Sequence, residues 1–174
     1  MIDPQMITNP PHYVKGRKIE PIRVIEEWSL CHHLACVVKY IARMGRKNVG
    51  GNNQYPHHAS LQDLKKAEWY LLREIGIKNC PCIPNPRWFP MTPEAIAKDW
   101  RLSTPLSQVI VNLTTYQRLF NHFSLTRVVY LEQALTHLKV EINVQESRIK
   151  ELDKHPVALG ENIIIFKRRK PCNN

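Results

Sequence analysis

Several features are missing from this chain. No apolar run approaches the roughly 20 residues that a bilayer-spanning helix needs. The opening stretch, MIDPQMITNPPHYVKGRK, has no hydrophobic signal core, so an intracellular, cytoplasmic protein is expected. The five cysteines, Cys31, Cys36, Cys80, Cys82 and Cys172, are odd in number and irregular in spacing, which argues against a disulfide framework and predicts reduced thiols. There is no Walker P-loop, no GxGxxG and no HExxH. His32-His33 and His57-His58 stand near cysteines in the sequence, but the spacings match no zinc pattern and no structural metal is expected. Strand signal is nearly absent: residues 161–167, ENIIIFK, form the one short β-branched run, and a lone strand needs a partner. Acidic residues are scarce, 15 Asp and Glu against 25 Lys and Arg, for a formal net charge of +10. That excess favours anionic partners (nucleotides, nucleic acid or an acidic protein) without choosing among them. Part of it lies in the tail, at Lys167, Arg168, Arg169 and Lys170, where a charge run reads as a solvated end.

What the chain does have is helical periodicity. Over 174 residues, 43% hydrophobic, it is long enough for one domain or two small ones sharing a core. Leu34, Val37, Val38 and Ile41 recur at i, i+3, i+4 and i+7, an amphipathic stripe. On another face of that helix Lys39, Arg43 and Lys47 are spaced one turn apart. A second helix follows, with Leu61, Leu64, Ala67 or Glu68, Leu71, Leu72 and Ile75 as its buried stripe, Asp63, Lys66 and Tyr70 beside it, Ser60 as N-cap and Gly76 as stop. The two form a hairpin across the loop at 46–59.

Around this hairpin, Glu20-Pro21 opens a shorter helix whose buried side is Ile22, Val24 or Ile25, and Trp28. Prolines through 77–91 forbid a continuous helix and mark a linker, in which Trp88-Phe89 reads as a plug over the core. Thr92-Pro93-Glu94 then has the N-cap, first-turn proline and acidic residue of a helix start. Pro105 begins another helix with Leu106, Val109, Ile110 and Leu113 inward. Residues 124–152 make one long helix through Val128, Leu131, Leu135, Leu138 and Ile142, stopped by His155-Pro156. The organisation is an all-α helical unit over 1–80, a Pro-rich linker over 81–91 and a second helical unit with a basic tail over 92–174.

The two units look alike. Shifted by 72 positions, Pro21, Trp28, Leu30, Leu34, Val37 and Ile41 fall on Pro93, Trp100, Leu102, Leu106, Val109 and Leu113. Shifted by 67, Ala67, Leu71, Glu74 and Ile75 fall on Ala134, Leu138, Glu141 and Ile142. The apolar pattern persists while the polar row does not: Lys39 becomes Val111, Arg43 Thr115, Asp63 Tyr130 and Lys66 Gln133. The expectation is a degenerate internal duplication whose halves pack like a homodimer within one chain.

The first unit also resembles a known family. The residues that carry the resemblance are His12-Tyr13, Gly16, Ile19-Glu20-Pro21-Ile22, Val24-Ile25-Glu26 and Trp28, then Lys39-Tyr40-Ile41-Ala42-Arg43, Gly45 and Lys47, then Asp63-Leu64, Lys66-Ala67 and Trp69-Tyr70-Leu71. Over about 12–76 they are similar to a small phage domain of unknown function, number 3310, a family that includes a phage nucleotide kinase acting on deoxynucleoside monophosphates. The resemblance implies a phage protein in an infected host cell and phosphoryl transfer to a nucleoside monophosphate, with ATP and Mg²⁺. In that reading Lys39, Arg43, Lys47 and Lys66 clamp phosphate, Asp63 or Glu26 organises Mg²⁺, and His12 or Tyr13 meets the base or moves a proton. Arg43 is then an exposed charge whose removal weakens binding and spares stability. Mg-dependent nucleotide pyrophosphate hydrolysis is a second enzymatic reading. The opposing class is a non-catalytic basic protein binding a host factor, a signalling nucleotide or nucleic acid; a homo-oligomer is compatible with either class. The family commonly has an acidic residue where Arg23 stands and Gly-Asn where Ala35-Cys36 stand; both departures, and the polar row lost from the second unit, favour the non-catalytic class.

Overall fold

The computed structural model describes residues 16–46, 56–77, 91–119 and 127–154. They form six helices and no strand: α1 Pro21–Glu27, α2 His32–Arg43, α3 Pro56–Gly76, α4 Pro93–Trp100, α5 Thr104–Arg118 and α6 Val128–Lys154. The all-α expectation holds for them. The strand expected at 161–167, Trp88-Phe89 and the linker expected at 81–91, apart from Met91, lie outside the described residues. None of these helices is long and apolar enough to cross a membrane.

The order short helix, middle helix, long helix occurs twice. Within each unit the middle and long helices pack as a hairpin, α2 on α3 and α5 on α6, and the long helices α3 and α6 pack together across the middle. The stripes that the periodicity marks are the core. Val24, Trp28, Leu34, Val37, Val38 and Ile41 are buried in the first unit, and Ile96, Trp100, Leu106, Val109, Ile110 and Leu113 in the second. Every one of these six pairs is 72 residues apart.

Polar contacts repeat with the same shift, and they cross between the units. The Trp28 indole N–H donates to the Met91 carbonyl at 3.2 Å, and that of Trp100 to the Ile19 carbonyl at 2.8 Å. The Met91 amide donates to Glu27 Oε1 at 2.6 Å, and the Ile19 amide to Asp99 Oδ2 at 2.9 Å. Positions 19, 27 and 28 thus meet 91, 99 and 100 reciprocally, as in an isologous dimer interface. A residue at positive φ follows both short helices at equivalent positions, Ser29 at φ 48° and Arg101 at φ 54°. A buried glutamate holds the start of each middle helix: Glu74 accepts from Cys31 Sγ at 3.2 Å and Glu141 from Ser103 Oγ at 2.6 Å. Duplication is therefore visible in hydrogen bonds as well as in apolar pattern.

Local expectations fare unevenly. Thr92 caps α4 by accepting from the Ala95 amide, Pro21 and Pro93 sit in first turns, and α3 ends at Gly76. Ser60 is not an N-cap: α3 starts a turn earlier at Pro56, a good first-turn residue, so 56–59 belong to the helix rather than to the loop. Ile22 and Leu72 are 51% and 47% exposed instead of buried. The buried line of α3 runs through Leu64, Ala67, Leu71 and Glu74, so Leu72, one residue on from Leu71, is carried off that line. Gly45 turns the chain out of α2 at φ 68°, and a Cβ there would meet Ser60 Oγ at 2.7 Å.

Candidate functional site

The two helices of the first hairpin bring Lys39, Tyr40 and Arg43 of α2 against Asp63, Lys66 and Tyr70 of α3. Tyr40 is at the centre. The Lys39 ammonium lies 5.0 Å from its ring centroid, the Arg43 guanidinium 4.9 Å and the Lys66 ammonium 5.8 Å. A ring face attracts each cation, which allows three positive groups to gather on one side chain despite their repulsion. Behind Tyr40 stands Tyr70, stacked at 5.9 Å with 23° between planes. Trp69 meets Tyr70 edge-on at 4.8 Å and is 52% exposed.

Arg43 and Asp63 form a two-point ion pair: Nη2 to Oδ1 at 2.6 Å and Nε to Oδ2 at 3.3 Å. Their side chains are only 12% and 4% exposed. This corrects the expectation that Arg43 is an exposed surface charge. Asp63 is engaged by that pair. Both its oxygens face the guanidinium, and among the described residues no group of three or more His, Cys, Asp and Glu could hold a metal ion. Nor do helix-terminal amides assist here, because Asp63 and Lys66 stand about two turns or more inside α3.

Other expected site residues are not brought here. Glu26 is exposed on α1, and no hydrogen bond or ion pair joins its carboxylate to the described site residues. α2 ends at Arg43, and residues 44–46 form a turn. Lys47, His12 and Tyr13 lie outside the described residues.

Sequence reasoning missed a neighbouring polar cluster. Glu74 is buried where His33 Nδ1 approaches its Oε2 at 3.0 Å, beside the Cys31 thiol, with the Tyr116 hydroxyl 3.5 Å from Oε1. Cys36 Sγ lies 3.8 Å from His32 Nε2, and neither Cys31 nor Cys36 is in a disulfide among the described residues. The negative field of the Cys36 sulfur, then burial, then the hydrogen bond between the two groups hold the Tyr70 phenol above its ordinary value of 10.0. The available signal is spacing: Cys36, Tyr40 and Arg43 fall at i, i+4 and i+7, and Lys66, Tyr70 and Glu74 at i, i+4 and i+8.

The second unit acts as an internal control. Glu74 and Trp28 have the counterparts Glu141 and Trp100, so the fold itself needs them. Lys39, Tyr40, Arg43, Asp63, Lys66, Trp69 and Tyr70 stand where the second unit has Val111, Asn112, Thr115, Tyr130, Gln133, Thr136 and His137. The hairpin folds without them.

Residues 7–72 match the family described as protein of unknown function (DUF3310). The match takes in α1, α2 and α3 as far as Leu72, and so every residue of the Tyr40 cluster. The resemblance over 12–76 is thus upheld at the level of the DUF3310 family. No curated protein and no solved structure matches the chain.

Proposed function

We propose that the Tyr40 face of the α2–α3 hairpin binds the phosphate of a nucleotide. The observation that carries this reading is the gathering of Lys39 and Lys66 over one tyrosine ring, on a hairpin whose duplicate keeps the fold and drops both lysines. The Arg43–Asp63 pair is internally neutral, so the two lysines supply the net positive charge. Arg43, oriented by Asp63 and by Tyr40, adds a guanidinium edge in a fixed place. Trp69, half exposed one turn along α3 from Lys66, is an aromatic surface suited to a base. The chemistry these groups support by themselves is holding an anion, which favours a binding protein; phosphoryl transfer to a nucleoside monophosphate is the second reading, favoured by the resemblance of the first unit.

A screen of nucleoside mono-, di- and triphosphates by calorimetry tests the proposal. A charge-assisted contact to phosphate contributes about 1.5–3 kcal/mol, so Lys39→Ala or Lys66→Ala should weaken binding about ten- to hundredfold. Removal of either lysine should change stability by no more than about 0.5 kcal/mol. Equal affinity in wild type and both variants would refute the site. Conversion of a monophosphate to a diphosphate in the presence of ATP and Mg²⁺ would establish the second reading.

A further inference from the structure

A second concentration of positive charge lies at the junction of the units, and none of the residues that line it belongs to the Tyr40 cluster. The segment before α1 and the end of α4 enclose an open cleft of about 760 Å³, lined by Arg17, Lys18, Lys98, Asp99 and Arg101 among others. We propose that this cleft binds the polyphosphate group of a small-molecule anion.

Arg17 is the strongest sign of a ligand. Its guanidinium lies 5.1 Å from the Trp100 ring centroid, and its Nε and Nη1 are buried with no hydrogen-bond partner among the described residues. Buried donors are ordinarily satisfied, and a charged one left without an acceptor is costly. Asp99 does not supply that acceptor, because its carboxylate is taken by the backbone amides of Lys18 and Ile19 at 2.9–3.1 Å. More cations surround Arg17. Burial, and then repulsion from Arg46, lower its pKa to about 10, with Asp99 only partly offsetting them. Burial and repulsion from Arg101 likewise lower that of Arg46. A guanidinium stays protonated throughout the physiological range, so these shifts mark charges that the fold holds at a cost and that an anion would relieve.

The internal repeat shows that the fold does not require these cations. Asp99 has the counterpart Glu27, which performs the same amide-binding task. Lys98 and Arg101, however, correspond to Glu26 and Ser29. Arg101 even occupies the left-handed region at φ 54°, where a glycine would sit with less strain. Among the described lining residues, Arg17, Lys18, Lys98 and Arg101 face the single carboxylate of Asp99, a balance better matched by an oligophosphate than by one phosphate. Arginine also grips phosphate oxygens in pairs.

The probe is sodium tripolyphosphate, titrated calorimetrically at low salt into the full chain carrying Lys39→Ala and Lys66→Ala, so that failure of the nucleotide face does not bear on the result. The expected result is one-to-one binding that weakens about tenfold or more in Lys98→Glu and in Arg101→Ser, each replaced by its first-unit counterpart. Melting temperature should be unchanged in Lys98→Glu, whose side chain is exposed. The Arg17 Nε–Hε signal should shift on titration in the NMR spectrum. No saturable binding would overturn the proposal. So would binding indifferent to both substitutions, or tight binding of a single-stranded oligonucleotide that tripolyphosphate fails to displace.

Discussion

Arg43 separates what spacing reveals about a residue from what packing does with it. Its place one turn beyond Lys39 is legible in the chain, and so is a basic face. That its fork closes on Asp63, twenty residues away and on another helix, is not, because pairing across a hairpin depends on how α3 is rotated. The pair is buried, so Arg43→Ala leaves the Asp63 carboxylate without its partner. The expected cost is about 3 kcal/mol, the low end for breaking a buried pair, since Arg43 keeps some exposure. Chemical denaturation measures it; a loss under about 0.5 kcal/mol would show the pair to be surface-like. Joint replacement by Thr115 and Tyr130 in the second unit fits a pair exchanged as a whole.

Tyr70 gives a pH prediction at the same scale. Its phenol is held above the ordinary value of 10.0, so between that pH and the folded value the native state keeps a proton that the unfolded chain has lost. Stability supplied by this group is complete below about pH 10 and declines as pH rises past it. Wild type should therefore lose more stability between about pH 9 and 11 than Tyr70→Phe does, as followed by thermal melting at each pH. An equal loss in both proteins would show that Tyr70 titrates normally.

At the level of elements, termini with chemical signatures are readable. Thr92 with Pro93, and Pro21, mark helix starts through capping and a fixed φ, and α3 ends at Gly76. Ser60 misleads because a good N-cap residue inside a helix looks the same in sequence as one at its start, and Pro56 is the better sign. Ile22 and Leu72 mislead because one apolar residue beyond a stripe extends it on paper but rotates away in space. The tryptophans join elements of opposite units, so their cost should be symmetric. Trp28→Ala and Trp100→Ala should each destabilise by about 3–5 kcal/mol, and the Phe variants by about 1 kcal/mol for the lost donor. Calorimetric unfolding that shows a large loss at one position and none at the other would contradict the reciprocal interface.

Over the whole molecule, the 72-residue repeat makes the duplication visible in the chain itself, because burial constrains apolar positions in both copies. The exchanged contacts of Ile19, Glu27 and Trp28 with Met91, Asp99 and Trp100 are not visible there, since nothing in a linear pattern says which copy a donor faces. Duplication leaves one copy free to serve as scaffold while the other holds side chains that folding does not demand. We propose that nucleotide binding resides in the first copy alone. Backbone NMR of the full chain, titrated with a nucleoside monophosphate, tests it most directly. Shifts are expected to concentrate at Lys39, Tyr40, Lys66 and Tyr70, with Val111, Asn112, Gln133 and His137 unmoved; shifts centred on the second set, or spread equally over both, would place binding elsewhere.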